Sequence, residues 1–189
     1  MSQPHLPTSP YCTIGPFFPG TFTNGCDDLT NFEGKRAKGE QIFLSGRIFE
    51  EGNRPILNAV VEIWQPDANG IFRHPIDPRF QDADPGFFGW GRVRTDRDGN
   101  YCFRTVLPGP RENRCPHINL MILAIGLTRR LVTTVFFSET PDSVRDPVLD
   151  CVADSRARAR MFARREPGQN IYRFNIITRG ESETPFFLD

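Results

Sequence analysis

Lysine is nearly absent from this chain: Lys35 and Lys38 are the exceptions in a basic set that is otherwise arginine. Arginine favours planar, bidentate and interface contacts, although genome base composition produces the same bias. An excess of charge of either sign is also missing, with 23 basic residues against 23 acidic ones. That balance argues against nucleic acid or an anionic membrane as the main partner. No run approaches the ~18 apolar residues of a membrane-spanning helix. The first turns of chain hold no basic stretch followed by an apolar one, so no secretory leader is expected. Cys12, Cys26, Cys102, Cys115 and Cys151 are odd in number and widely spread, with no C-x-x-C pair. A disulfide framework and a zinc site are therefore not expected, and a reducing cytoplasm fits.

What is present is 17 Pro, 16 Gly and 17 Phe in 189 residues. The length suits one domain. Pro and Gly punctuate helices, and Phe fills strand-rich cores. Residues 1–40 show little periodicity and carry Pro4, Pro7, Pro10, Pro16 and Pro19, which reads as an extended N-terminal arm. A single mainly β domain is expected over 41–189. Strands are predicted over 42–49, 60–64, 117–124, 131–137 and 171–177, and Asp96-Arg97-Asp98-Gly99 reads as a hairpin turn between two more. A β-sandwich with one or two short helices follows, and the Ala- and Arg-rich stretch 154–165 is the expected helix. The 65–90 connection is long for a structureless loop, and such loops are often functional.

Several groups invite a chemical reading. Asp96-x-Asp98-Gly99 resembles the start of a calcium loop, but its Gly is fourth rather than sixth and a strand follows at once, so a turn is expected. His74, Asp77, Asp82 and Asp84 suggest acid/base or hard-cation groups, yet Pro75, Pro78 and Pro85 make a solvated loop the expectation. Arg156, Arg158, Arg160, Arg164 and Arg165 read as a solvated helix face or a contact with an acidic subunit surface. The Phe-rich pieces Phe17-Phe18, Phe87-Phe88-Gly89-Trp90 and Phe186-Phe187 are expected to be buried in part against a partner chain, through roughly 2,000 Å² or more, or else to fill this chain's own core. His117-Ile118-Asn119 sets an imidazole and an amide on one face of a strand. A second His there would make a metal pair. A lone one also suits a core.

Taken in order, a set of segments resembles the intradiol ring-cleavage dioxygenases over nearly the whole chain. These are Thr13-Ile14-Gly15-Pro16-Phe17, Leu44-Ser45-Gly46-Arg47-Ile48, Val61-Glu62-Ile63-Trp64-Gln65-Pro66-Asp67-Ala68-Asn69-Gly70-Ile71-Phe72, Gly91-Arg92, Thr95 to Tyr101, Leu107-Pro108-Gly109-Pro110, Pro116-His117-Ile118-Asn119 and Gly180 to Phe187. The resemblance implies a β-sandwich and non-haem ferric iron held by two Tyr and two His. The family's Gly-x-Tyr-x-His appears here as Gly70-Ile71-Phe72-Arg73-His74. Its Pro-Gly-x-Tyr appears as Pro108-Gly109-Pro110-Arg111. Its Arg-x-x-His-x-His appears as Arg114-Cys115-Pro116-His117-Ile118-Asn119. Phe72, Arg111 and Asn119 thus replace three ligands, and His117 alone remains. Phenolate is a hard anionic donor suited to ferric iron, and none of the three replacements is an anion. Bringing Arg111 beside a trivalent cation would cost on the order of several kcal/mol even at an effective dielectric near 20.

No metal is therefore expected in this chain, nor any catalytic residue. The pattern implies an iron-free α-type chain beside a homologous β subunit, which would hold the ferric iron, in a cytoplasmic (αβ)n assembly. That assembly would cleave a small aromatic substrate, protocatechuate, with O2. A different catechol such as 4-sulfocatechol, a purely structural scaffold, and a standalone binding module that uses the decayed site are the alternatives. The resemblance also implies that Thr13, Gly15, Pro16 and Phe17 form part of the wall of the β subunit's substrate pocket. The arm departs from the family at Tyr11-Cys12, where Ser-Gln is common, and its alternative role is to clamp the two subunits.

Overall fold

Alternation of apolar and polar side chains builds two facing layers in this computed structural model, which describes residues 18–137 and 144–187. In β3 (Gln41–Glu50), Ile42, Leu44 and Ile48 enter the core while Phe43 faces out. A short hairpin of β1 (Asn31–Phe32) and β2 (Lys35–Arg36) precedes it. The sheet continues with β4 (Arg54–Pro55), β5 (Val60–Trp64), β6 (Trp90–Arg94), β7 (Asn100–Val106), β8 (His117–Leu123), β9 (Leu131–Phe137), β10 (Phe162–Arg165), β11 (Ile171–Arg173) and β12 (Ile176–Ile177). The helices are α1 (Pro147–Asp150) and α2 (Ser155–Ala159).

One layer has β3 at its centre, antiparallel to β7 and parallel to β11 and β12. The other runs β6-β5-β8-β9, all antiparallel. β10 joins them: Phe162 and Ala163 pair with β9, Arg164 and Arg165 with β11. The ladder therefore curls over itself, and Ile42, Leu44, Val61, Ile63, Phe103, Ile118, Leu120 and Val135 fill the space between. The mainly β sandwich read from the sequence is borne out.

The segment ahead of β3 closes the open side. The Cys26 carbonyl accepts from Arg92 N of β6 at 2.9 Å, the Asp27 carbonyl accepts from Arg104 N of β7 at 2.8 Å, and Leu29 N donates to Arg104 O at 2.8 Å. Leu29 and Ala37 add their side chains to the core. Of the Phe-rich pieces, Phe87 is buried in the same core, and Phe186 and Phe187 pack against the two apolar clusters. Phe88 remains 44% exposed, its ring stacked on Phe32. Among the described residues no helix is long and apolar enough to cross a membrane.

Three local expectations are corrected. The 96–99 turn forms, with Gly99 N donating to Asp96 O at 3.1 Å and Asn100 N to Asp96 Oδ1 at 2.8 Å. It makes no hairpin, because β6 pairs with β5 and β7 with β3. Thr95 fixes one side of the turn to the β5 layer, donating its amide to Ala59 O and accepting Ala59 N on its hydroxyl, while Gly99 O accepts from Ile48 N of β3. The helix expected over 154–165 ends at Ala159. Asp154 caps it, accepting from Arg156 N at 3.0 Å. Beyond it Met161, Phe162 and Ala163 are all buried, Phe162 in a small outer cluster and Ala163 in the main core. Successive side chains serve opposite faces on a strand, and Arg164 and Arg165 lie on that strand, exposed. The strand expected over 171–177 breaks at Phe174, whose carbonyl turns away to accept from Tyr101 Oη at 2.6 Å.

Candidate functional site

The 67–72 stretch is shaped by one buried carboxylate. Asp67 Oδ1 accepts from Asn69 N at 2.8 Å and Ile71 N at 3.0 Å, and Oδ2 accepts from Asp84 N at 2.8 Å. Gly70 turns there with φ of 74°, and a Cβ on it would stand 2.1 Å from Pro110 O. Gly109 N donates to Asp67 O at 2.9 Å. Glycine on both sides thus lets two backbones touch, and the contact carries Phe72 and Arg111 to the same place.

Phe72 is nearly buried, with its ring 4.8 Å from that of Trp64. The Arg111 guanidinium lies 5.4 Å from the centre of the Phe72 ring and forms a close ion pair with Asp77. Asp77, expected in a solvated loop, is 1% exposed. Asp84 is also buried, accepting from Lys38 N at 2.6 Å and Gly86 N at 2.9 Å, whereas His74 and Asp82 face solvent. The two buried carboxylates organise loop amides, so Pro-rich irregular chain here is folded rather than loose. Burial opposes the Asp77 charge, but the Arg79 and Phe72 amides and the Arg111 guanidinium outweigh it and hold its pKa below the usual carboxylate range.

His117 and Asn119 share the outer face of β8, while Ile118 and Leu120 point into the core. Asn119 stands in register between Trp64 of β5 and Thr134 of β9. That places it beside the tryptophan that Phe72 touches. His117 is 2% exposed, and its Nδ1 lies 2.7 Å from the Cys115 carbonyl. Burial pushes its pKa down, as do the Arg114 and Arg111 charges; the Cys115 carbonyl and Asp146 oppose. Arg114 donates from Nε to both oxygens of Asp146, at 2.9 Å each. Asp146 also accepts from Cys115 N and caps α1 through Val148 N, each at 2.9 Å. Sequence reasoning missed Asp146. Its signal was readable: an Asp directly before Pro147, the pairing of an N-cap with a proline at the first helical position.

The structure therefore brings Phe72, Arg111 and Asp77 into contact, sets Asn119 across Trp64 from them, and leaves His117 on the same face of β8. These residues do not fit ferric iron. Phe72 has no donor atom, Arg111 is a cation already engaged by Asp77, and Asn119 offers a neutral amide. Thr13, Gly15, Pro16 and Phe17 lie outside the described residues.

Beside Asn119, the outer face carries a cleft of about 280 Å³ lined by Trp64, Trp90, Met121 and Val132. Its wall is mostly apolar, and Glu62, Asn119 and Arg130 supply its polar groups.

Comparison with known proteins places this geometry. A dioxygenase family model matches residues 14–180. The chain is 31% identical to the protocatechuate 3,4-dioxygenase alpha chain of Pseudomonas putida, over 96% of both chains. It is 35% identical to the beta chain of Burkholderia cepacia protocatechuate 3,4-dioxygenase, over 84% of this chain and 73% of that one. An intradiol ring-cleavage dioxygenase from Tetranychus urticae superposes with a TM-score of 0.60 at 21% identity, covering 91% of this chain and 94% of that one. The family match runs through β3 to β12 and includes Phe72, Arg111, His117 and Asn119, so the chain belongs to the intradiol dioxygenase family.

Proposed function

We propose that this chain is the iron-free α subunit of a protocatechuate 3,4-dioxygenase. The carrying observation is the Arg111–Asp77 ion pair against Phe72, where the family resemblance places two phenolate ligands. Identity does not choose between chain types, since the beta-chain relative has the higher value and the alpha-chain relative the fuller coverage. The donor set supports the α reading, because a cation, a hydrocarbon ring and an amide do not suit ferric iron.

In this reading a homologous β subunit binds the ferric iron, and the two chains form a cytoplasmic (αβ)n assembly. The assembly opens the ring of protocatechuate between its hydroxyl-bearing carbons with O2, giving 3-carboxy-cis,cis-muconate for the β-ketoadipate route of aromatic catabolism. This chain contributes no acid, base or ligand to that chemistry. Its part is to complete the substrate pocket of the neighbour through Thr13, Gly15, Pro16 and Phe17. A proline-fixed arm loses less entropy on docking, and a glycine admits close backbone approach.

Co-expression with the β chain tests the proposal. The complex should contain iron, show a visible phenolate-to-iron band and turn over protocatechuate faster than 4-sulfocatechol. This chain alone should be colourless and inactive. Stoichiometric iron and ring cleavage in the isolated chain would overturn the reading, and faster turnover of 4-sulfocatechol would reassign the substrate. Gly15→Val should raise KM or lower kcat while iron, colour and assembly size stay as they were. Unchanged kinetics across catechols of different bulk would reduce the arm to a clamp.

A further inference from the structure

We infer that the Arg111 guanidinium stands in for a metal ion in this fold: joined to Asp77 and laid over Phe72, it clasps the 70–79 loop to the 108–114 turn. The inference rests on the proposed function for one point only, which positions carry ligands in metal-binding relatives. The clasp itself stands on contacts within this chain.

Within the 70–79 loop, Asp77 is the organiser. Its Oδ2 accepts from Phe72 N and its Oδ1 from Arg79 N, each at 3.0 Å. Asp77 N donates to His74 O at 2.9 Å, and Arg79 Nη2 donates to Gly70 O at 2.8 Å. All of these bonds stay inside the loop. The Arg111 pair is the bond from this carboxylate that leaves it.

The opposing turn is built to deliver that cation. Arg111 and Arg114 exchange backbone bonds of 3.1 and 2.7 Å, and Glu112 between them takes a φ of 44°. A left-handed glutamate is a conformation held by its surroundings. The charged groups around the pair are Arg79, with Nε 3.8 Å from Asp77, and Glu112, 3.8 Å from Arg111 Nη2. Arg111 also acts on His117 through its charge. A metal site would join these segments by ligating both. Here a donor-only guanidinium and an acceptor-only carboxylate do so, and an aromatic face takes the cation's remaining side.

Removing one partner of such a pair leaves the other buried and uncompensated, whereas removing both does not. Trypsin cleavage after Arg79 in the full-length chain reads this directly. Arg111→Met and Asp77→Asn should each raise the cleavage rate about ten-fold, and the double variant should rise far less than the product of the two. Hydrogen exchange on the unsubstituted chain needs no variant: the Phe72 and Arg79 amides should be protected. Ferric citrate and a strong chelator should both leave the unfolding midpoint of that chain unchanged. Single effects that multiply in the double variant, or Phe72 and Arg79 amides exchanging at the unprotected rate, would overturn the clasp. Stoichiometric ferric iron that raises the midpoint would instead overturn the iron-free reading and the stand-in role, while the coupling between Arg111 and Asp77 could still be present.

Discussion

Two single residues show how little room this fold leaves. A Cβ on Gly46 would stand 1.8 Å from Phe174 O, the carbonyl that also accepts the Tyr101 hydroxyl. No rotamer relieves a clash between a Cβ and a backbone. Gly46→Ala should cost about 1–3 kcal/mol or more and lower Tm by several degrees. Gly20→Ala meets nothing within 4 Å and should leave Tm nearly unchanged in the same scan. Tyr101→Phe should cost about 1–3 kcal/mol, because the Phe174 carbonyl loses its buried donor. His117 carries a pH signature. Its folded pKa lies below the ordinary value of 6.5, so the unfolded chain binds more protons as pH falls through that value. Stability should therefore drop as pH falls from about 6.5 toward the folded pKa. Urea midpoints at pH 7.5 and 5.5 check this: His117→Gln should flatten the difference, and an equal slope in the variant would refute it.

At the scale of elements, capping and burial separate what the sequence made readable from what it hid. β5 and β9 were legible as short runs rich in β-branched and aromatic residues, and β8 by its alternation of buried and half-buried positions. The 96–99 turn was legible as chemistry but not as topology, since turn residues set the local bend and not the partner each strand finds. β10 was hidden behind an Ala- and Arg-rich run whose helical propensity is real. Burial of Met161, Phe162 and Ala163 overrode it. Of the site, Phe72, Arg111, His117 and Asn119 could be placed by resemblance. Asp77 and Asp146 fall outside those motifs: a carboxylate that serves loop amides carries no periodic signal, and Asp146 was marked only by the cap-and-proline step that opens α1. The two helix caps test the ranking of these interactions. Asp154→Ala removes an exposed cap and should cost about 1 kcal/mol. Asp146→Ala removes a cap and the ion-pair partner of a mostly buried Arg114, and should cost about 3–5 kcal/mol. Denaturant midpoints that rank the two variants the other way would contradict this account.

On the scale of the whole molecule, the formal charge sums to zero at pH 7. Colloidal repulsion is then weakest near neutrality. The isolated chain should show its solubility minimum near pH 7, readable as light scattering across a pH series. Added β chain should lift that minimum if the complex has a net charge. A minimum more than two pH units away would mean that the folded chain titrates unlike its composition.

The segment that closes the open side of the sandwich has a mechanical meaning. Phe18 stacks on Phe22, Phe22 lies beneath the Arg92 guanidinium, and within a few residues the backbone is bonded to β6 and β7 at once. Tension applied to the chain at Phe18 is divided between the two layers, close to the point where it enters. The one backbone bond at Arg92 and the two at Arg104 would take it together, and neither strand would be loaded singly. The same seam occupies backbone groups of β6 at Arg92 and of β7 at Arg104, so an added strand would find the middle of each edge already taken.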